Sequence, residues 1–166
     1  GQNGLTMSDF AARRAALLEA VDVPNLDNRL ALADLTDEWI QELARTAGVD
    51  SVGGTVIAVG GYGRRELSPG SDLDIMLVVD SGAHPEKVMD VANALWYPIW
   101  DAGLRLDHSV RTVAEARIMA ASDLKVVLGM MDARTIYGND KSRKQFMDSV
   151  LADWRALGAK RLMELH

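Results

Sequence analysis

Residues 60–80 read GGYGRRELSPGSDLDIMLVVD, and the fold turns on how the two halves of that stretch are joined. The second half, Asp72 to Val79, is an apolar run that predicts a buried strand. Its mouth carries Ser71, Asp72 and Asp74. Strand residues i and i+2 share a face, so both carboxylates project the same way. Like charges held that close raise one another's pKa unless a cation neutralises them. Hard oxygen ligands at this spacing suit Mg²⁺ (or Mn²⁺) carrying substrate phosphates. The first half opens on Gly60-Gly61, directly after the β-branched run from Thr55 to Val59, which predicts a strand with a tight exit. With no Cβ in the way, the backbone amides there can approach a phosphate. A short helix expected over Tyr62–Leu67 adds its first amides to that site, and Ser68-Pro69-Gly70 is a turn. Ser71 offers a hydroxyl to the same phosphates. Arg64 and Arg65 either offset the nearby negative charge or point to solvent.

Downstream, Leu104 to Arg111 alternates cleanly as a third strand. Leu104, Leu106, His108 and Val110 share one face, and Arg105, Asp107, Ser109 and Arg111 share the other. Two metal ions on shared carboxylates would clamp an in-line displacement at phosphorus, and such a site usually has a third acid on an adjacent strand. Asp107 fits better than Asp101, which falls at the frayed end of a helix. A plain exposed strand acid is the other reading of Asp107, and its position on the polar face favours the first. His108, on the apolar face, reads as a core histidine, and Trp96 and Trp100 read as core. Arg111 either contacts phosphate or pairs with a nearby acid. His84 reads as a surface loop residue.

The helical periodicity predicts helices over residues 8–21 (with a Ser8 cap), 27–47 (closed by Gly48), 85–102, 113–120 (opened by the Thr112–Glu115 capping box), 122–131 (capped by Ser122), and from 139 to the end. The expected fold is α/β (α+β): a small mixed sheet flanked by helices, with helical extensions at both termini. The expected division is a helical lead-in over 1–50, a core over 51–135 and a helical extension over 136–166.

The chain has 166 residues, 48% of them hydrophobic and 25% charged, an ordinary globular balance. Its net charge of −6 argues against nucleic acid as a partner, since no basic stripe is present. No cysteine is available for a disulfide, a zinc site or a thiol nucleophile. No apolar run reaches the length of a membrane span, and the expected location is cytoplasmic.

Gly60-Gly61 followed by Ser71-Asp72-Leu73-Asp74 resembles the signature of the DNA polymerase β-like nucleotidyltransferase superfamily. The longer stretches AVGGYGRRELSPGSDLDIMLV (58–78) and WDAGLRLDHSVRT (100–112) resemble the N-terminal nucleotidyltransferase domain of the bacterial PII uridylyltransferase/uridylyl-removing enzymes. The likeness covers roughly residues 55–135. It implies Asp72 and Asp74 as metal ligands, with Gly60, Gly61 and Ser71 on the nucleotide phosphates. It also implies transfer of UMP from UTP, or of AMP from ATP, to a tyrosine hydroxyl of a PII-type signalling protein. One departure stands out: the family strand has Gly before His-Ser-Val-Arg and an acid two residues earlier, where this chain has Asp107 and Arg105. Family members also carry a phosphohydrolase domain with a His-Asp doublet and two glutamine-sensing domains. This chain has no such doublet, so it is expected to be a truncated piece holding the transferase half, without removal activity or glutamine control. Two alternatives share the core motif: a minimal nucleotidyltransferase of the antibiotic-modifying or antitoxin type, and a nucleotide-binding module without transfer.

Overall fold

A computed structural model of the chain describes residues 6–19, 26–68, 70–123, 132–138, 144, 148–149, 151–153 and 155–156. Through residue 138 the described elements are α1 (Met7–Glu19), α2 (Leu26–Ala47), a 3₁₀ turn (Val49–Val52), β1 (Thr55–Ala58), α3 (Gly60–Gly63), β2 (Leu73–Val79), α4 (Pro85–Asp101), β3 (Leu106–Thr112), α5 (Val113–Ser122) and β4 (Arg134–Tyr137). The four strands form one mixed sheet in the order β3-β2-β1-β4. β1 is antiparallel to both β2 and β4, and β2 is parallel to β3. A parallel pair needs a crossover, and α4 supplies it. The expected mixed sheet flanked by helices is the one observed.

The alternation along each strand divides the sheet into two faces. Val56 and Ala58 of β1 and Leu73, Ile75, Leu77 and Val79 of β2 enter the main core, together with Leu32, Trp39 and Ile40 of α2 and Val91, Leu95, Trp96 and Ile99 of α4. Ile57, Met76 and Val78 face the other way and pack on Ala116 and Ala120 of α5. α1 joins the main core through Phe10, whose ring stacks on Trp39 at 4.2 Å between centroids. α1 and α2 thus contribute to the core on one side of the sheet.

Several boundaries differ from expectation for identifiable reasons. α1 starts one residue early, because the Thr6 hydroxyl, and not Ser8, accepts from the Asp9 amide at 3.1 Å. α3 begins at Gly60 instead of Tyr62 and ends at Gly63, where Arg65 turns the chain with a φ of +60°. Ser122 falls inside a helix instead of capping one. It is the last residue of α5, and its hydroxyl donates back to the Met119 carbonyl at 3.1 Å. The helices expected beyond it, over 122–131 and from 139 onward, lie largely outside the described residues. β4 went unforeseen, because Arg-Thr-Ile-Tyr is short and only Ile136 is fully buried. The Thr112–Glu115 capping box forms as expected, with bonds of 3.0 and 3.1 Å. Hydrogen bonding to Thr112, from its backbone amide first and its hydroxyl second, holds the Glu115 carboxyl below its ordinary pKa.

Leu77 is fully buried at the centre of β2. Leu77→Ala is expected to cost about 2–5 kcal/mol of stability in urea unfolding. Ile118→Ala, at a side chain 70% exposed on α5, is expected to change it by less than about 0.5 kcal/mol.

Candidate functional site

The register of the parallel pair builds the site. It sets Leu73 beside Leu106, Asp74 beside Asp107 and Ile75 beside His108. Asp74 and Asp107, 33 positions apart in the chain, thereby become lateral neighbours at the entry of their strands. Asp72 precedes β2 at the same end. Asp72 and Asp107 are exposed, while Asp74 is half-buried. Burial raises the Asp74 pKa above its ordinary value, the Asp107 and Asp72 carboxylates raise it further, and Arg64 pulls it back. The three acids and Arg64 therefore share one electrostatic neighbourhood.

The glycine pair lies against this cluster. The Val59 amide donates to the Asp74 carbonyl at 3.0 Å, which brings the exit of β1 alongside the entry of β2. Gly60 then turns away with a φ of +56°, and a Cβ there would stand 2.5 Å from Asp74 Oδ2. Only glycine permits both the turn and the approach. Gly61 is open, its nearest neighbour for an added Cβ being Arg64 Nη2 at 3.9 Å. Gly63 is as constrained as Gly60, since a Cβ would meet the Asp132 carbonyl at 2.5 Å. Its need for glycine was not read from the sequence, although the pattern Gly-Gly-Tyr-Gly could have suggested it.

The polar groups around the acids have definite partners. Arg64 donates to Glu66 at 3.1 Å and to Asp132 at 3.3 Å. Arg65 pairs with Asp34 of α2. Ser71 Oγ accepts from the Ser68 amide at 3.1 Å and lies 2.8 Å from Ser68 Oγ. A hydroxyl has one proton and two lone pairs. Either hydroxyl can be the donor in the contact between them.

Two readings of single residues need correction. His108 is exposed, not buried, because β3 is the edge strand of the sheet. Its ring packs 5.2 Å from both Trp96 and Trp100. Trp96 is core, but Trp100 is 40% exposed. Arg111 donates to the Val110 carbonyl at 2.8 Å and contacts the Met119 sulfur. His84 is exposed as expected, and its ring also accepts from the Glu86 amide at the start of α4.

The donor set at the acids is all oxygen, and the glycine turn leaves room beside Asp74. Both features fit a divalent cation carrying phosphate. Among the described residues no three His, Cys, Asp or Glu side chains already converge on one point, so the acids are neighbours by register and not a closed cage.

No protein-family model matches the chain. Among curated proteins, the bifunctional uridylyltransferase/uridylyl-removing enzyme of Streptomyces coelicolor is 47% identical over 156 residues, covering 94% of this chain and 19% of that enzyme. Its namesake from Mycobacterium tuberculosis strain H37Rv is 42% identical over 161 residues, covering 95% of this chain and 20% of the enzyme. The chain is homologous to the uridylyltransferase/uridylyl-removing enzymes. It spans about one fifth of their length. Among solved structures, a toxin–antitoxin protein with AMP-PNP overlays with a TM-score of 0.49 at 14% identity, covering 75% of this chain and 94% of that one. The MntA-HepT toxin–antitoxin structure follows at 0.47 and 16%, covering 80% and 95%. Likeness this weak adds nothing to the homology with the uridylyltransferases.

The two leading glycines should respond differently to one methyl group. Gly60→Ala is expected to cost about 1–2 kcal/mol in chemical denaturation, from the left-handed backbone alone, plus displacement of the Asp74 carboxylate. Gly61→Ala, which meets no clash, is expected to be neutral or slightly stabilising.

Proposed function

We propose that this chain is the transferase part of a metal-dependent nucleotidyltransferase that moves UMP, or AMP, from the nucleoside triphosphate to a tyrosine hydroxyl of a PII-type nitrogen-signalling protein in the cytoplasm. The observation that carries the reading is the meeting of Gly60 with Asp74 beside Asp107. It occurs in a chain 42–47% identical to enzymes named for uridylyl transfer. That name favours UTP over ATP.

In the proposed reaction the tyrosine oxygen attacks the α-phosphorus. A new O–P bond forms as the bond to the bridging oxygen breaks, and pyrophosphate leaves. Asp72, Asp74 and Asp107 would hold Mg²⁺ (or Mn²⁺), which when bound supplies Lewis-acid polarisation of the phosphate and stabilises the leaving oxygen. The chain's own groups do the remaining work. The Gly60 and Gly61 amides and the Ser71 hydroxyl bind the phosphate oxygens and fix the α-phosphorus for in-line attack. Arg64 offsets charge on the triphosphate while its contacts with Glu66 and Asp132 hold it close. Asp107 is the exposed member on the edge strand, open to an incoming acceptor. It receives the tyrosine proton as the new bond forms. The half-buried Asp74, crowded by two like charges, is the carboxylate whose ionised form gains most from a bound cation.

The test combines the chain with a PII-type protein, Mg²⁺ and labelled UTP. Label is expected on the partner and lost on chelation with EDTA. Asp72→Asn with Asp74→Asn is expected to abolish transfer, and Asp107→Asn to slow it by about 10²–10⁴-fold. Undiminished transfer by the double variant would sink the proposed site. Full activity of Asp107→Asn alone would remove only the third-acid role.

A further inference from the structure

α3, the four-residue helix Gly60–Gly63, carries the glycine turn that touches Asp74, yet it has a single side chain with which to anchor itself. That side chain is Tyr62, fully buried. Its hydroxyl donates to Asp37 Oδ1 of α2 at 2.6 Å. Arg134, the first residue of β4, binds the same assembly from the other side. Its Nη2 donates to the Tyr62 carbonyl at 2.9 Å and its Nε to the Gly63 carbonyl at 3.3 Å. Its Nη1 pairs with the second oxygen of Asp37. The guanidinium also stands 5.2 Å over the Tyr62 ring. One planar cation thus ties the last two carbonyls of α3, the α3 aromatic ring and a carboxylate of α2 into one unit. Both members of the ion pair are well shielded, with side-chain exposures of 17% and 13%.

We propose that Arg134, locked by Asp37 and Tyr62, is a positioning residue that holds the Gly60–Gly61 turn at its distance from Asp74 and so presets the phosphate cradle. This rests on the nucleotidyltransferase reading and deepens it. The reasoning is mechanical. Glycine backbone loses more freedom on ordering than any other residue, so a glycine turn needs its order imposed from outside. The carbonyls at the end of a short helix have no partners within it; Arg134 binds two of them, sharing that of Tyr62 with the Arg65 amide, with the fork geometry that lysine lacks. Asp37 fixes the fork by accepting from Arg134 on one oxygen and from Tyr62 on the other. Arg134 is part of the support beneath the cradle: its described bonds are to α3 and α2, not to the three acids.

The experiment uses the chain with the variants Arg134→Gln, Arg134→Lys and Tyr62→Phe. It reads amide hydrogen exchange without ligand, and calorimetric binding of a non-hydrolysable UTP analogue with Mg²⁺. Arg134→Gln is expected to speed exchange at Gly63 and Arg64 while the β2 amides of Ile75 and Leu77 keep parental protection. Nucleotide affinity is expected to fall about tenfold or more, the usual effect of losing a supporting contact. Arg134→Lys should recover only part of both. Tyr62→Phe, which keeps the ring and removes one hydroxyl, should move both in the same direction by less, and it serves if Arg134→Gln does not fold. Parental loop exchange and parental affinity in folded variants would overturn the proposal. A parent chain that binds no nucleotide would overturn the transferase reading instead. The exchange data would then still decide whether Arg134 holds the turn.

Discussion

Leu73 to Val79 pair with Leu106 to Thr112 residue for residue in a parallel ladder, and this register is the constraint on which the site depends. Strand side chains alternate between faces, so a slip of one residue would turn Asp107 toward the main core and Leu106 toward the acids. What prevents the slip is apolar. Leu73, Ile75, Leu77 and Val79 all enter the main core, and Leu106 and Val110 pack against it from β3. The carboxylates of the proposed site are thus positioned by the hydrophobic residues that alternate with them, and α4 sets the spacing by spanning the crossover.

A second constraint operates at right angles to the first. β1 delivers its exit glycine to the entry of β2 because the two strands are antiparallel, Ala58 lying opposite Ile75. The glycine turn and the acids belong to different segments and meet only because one strand ends where the other begins. β4 completes this side by pairing with β1 through Ala58 and Arg134, which places the Arg134 side chain under α3. Sheet order therefore accounts both for the meeting of glycine and acid and for the support beneath them.

The parts legible in the sequence were those whose signal is local. The glycine pair, the Asp-x-Asp spacing, the alternation of residues 104–111 and the Thr112–Glu115 box each lie within a dozen residues; the box forms as read, and the third strand forms two residues later than read, over Leu106–Thr112. The adjacency of Asp107 to Asp74 followed from strand alternation together with the expectation of a neighbouring strand. The Asp37–Tyr62–Arg134 unit was not legible, because its members lie on three elements and no pattern of a single element marks them. β4 escaped for a related reason: four residues with one fully buried side chain carry little periodicity, and their strand character comes from pairing with β1. The misreading of His108 had another cause. Alternation states which face a side chain is on, but the sheet order, unknown from sequence, decides whether that face is covered at the edge.

The crowding at the head of β2 has a consequence for how such a chain would drift. A carboxyl whose pKa is raised by folding holds its proton more tightly in the folded state, so ionising it at neutral pH works against the fold. Asp74 is in that position, opposed by burial and by the two acids beside it. A lineage released from the need for catalysis could gain stability by replacing one of the three with a neutral residue. The apolar register would survive such a change untouched. Under the proposed function, decay of activity would then begin at the acids and leave the architecture standing, as an inert copy more stable than its working ancestor.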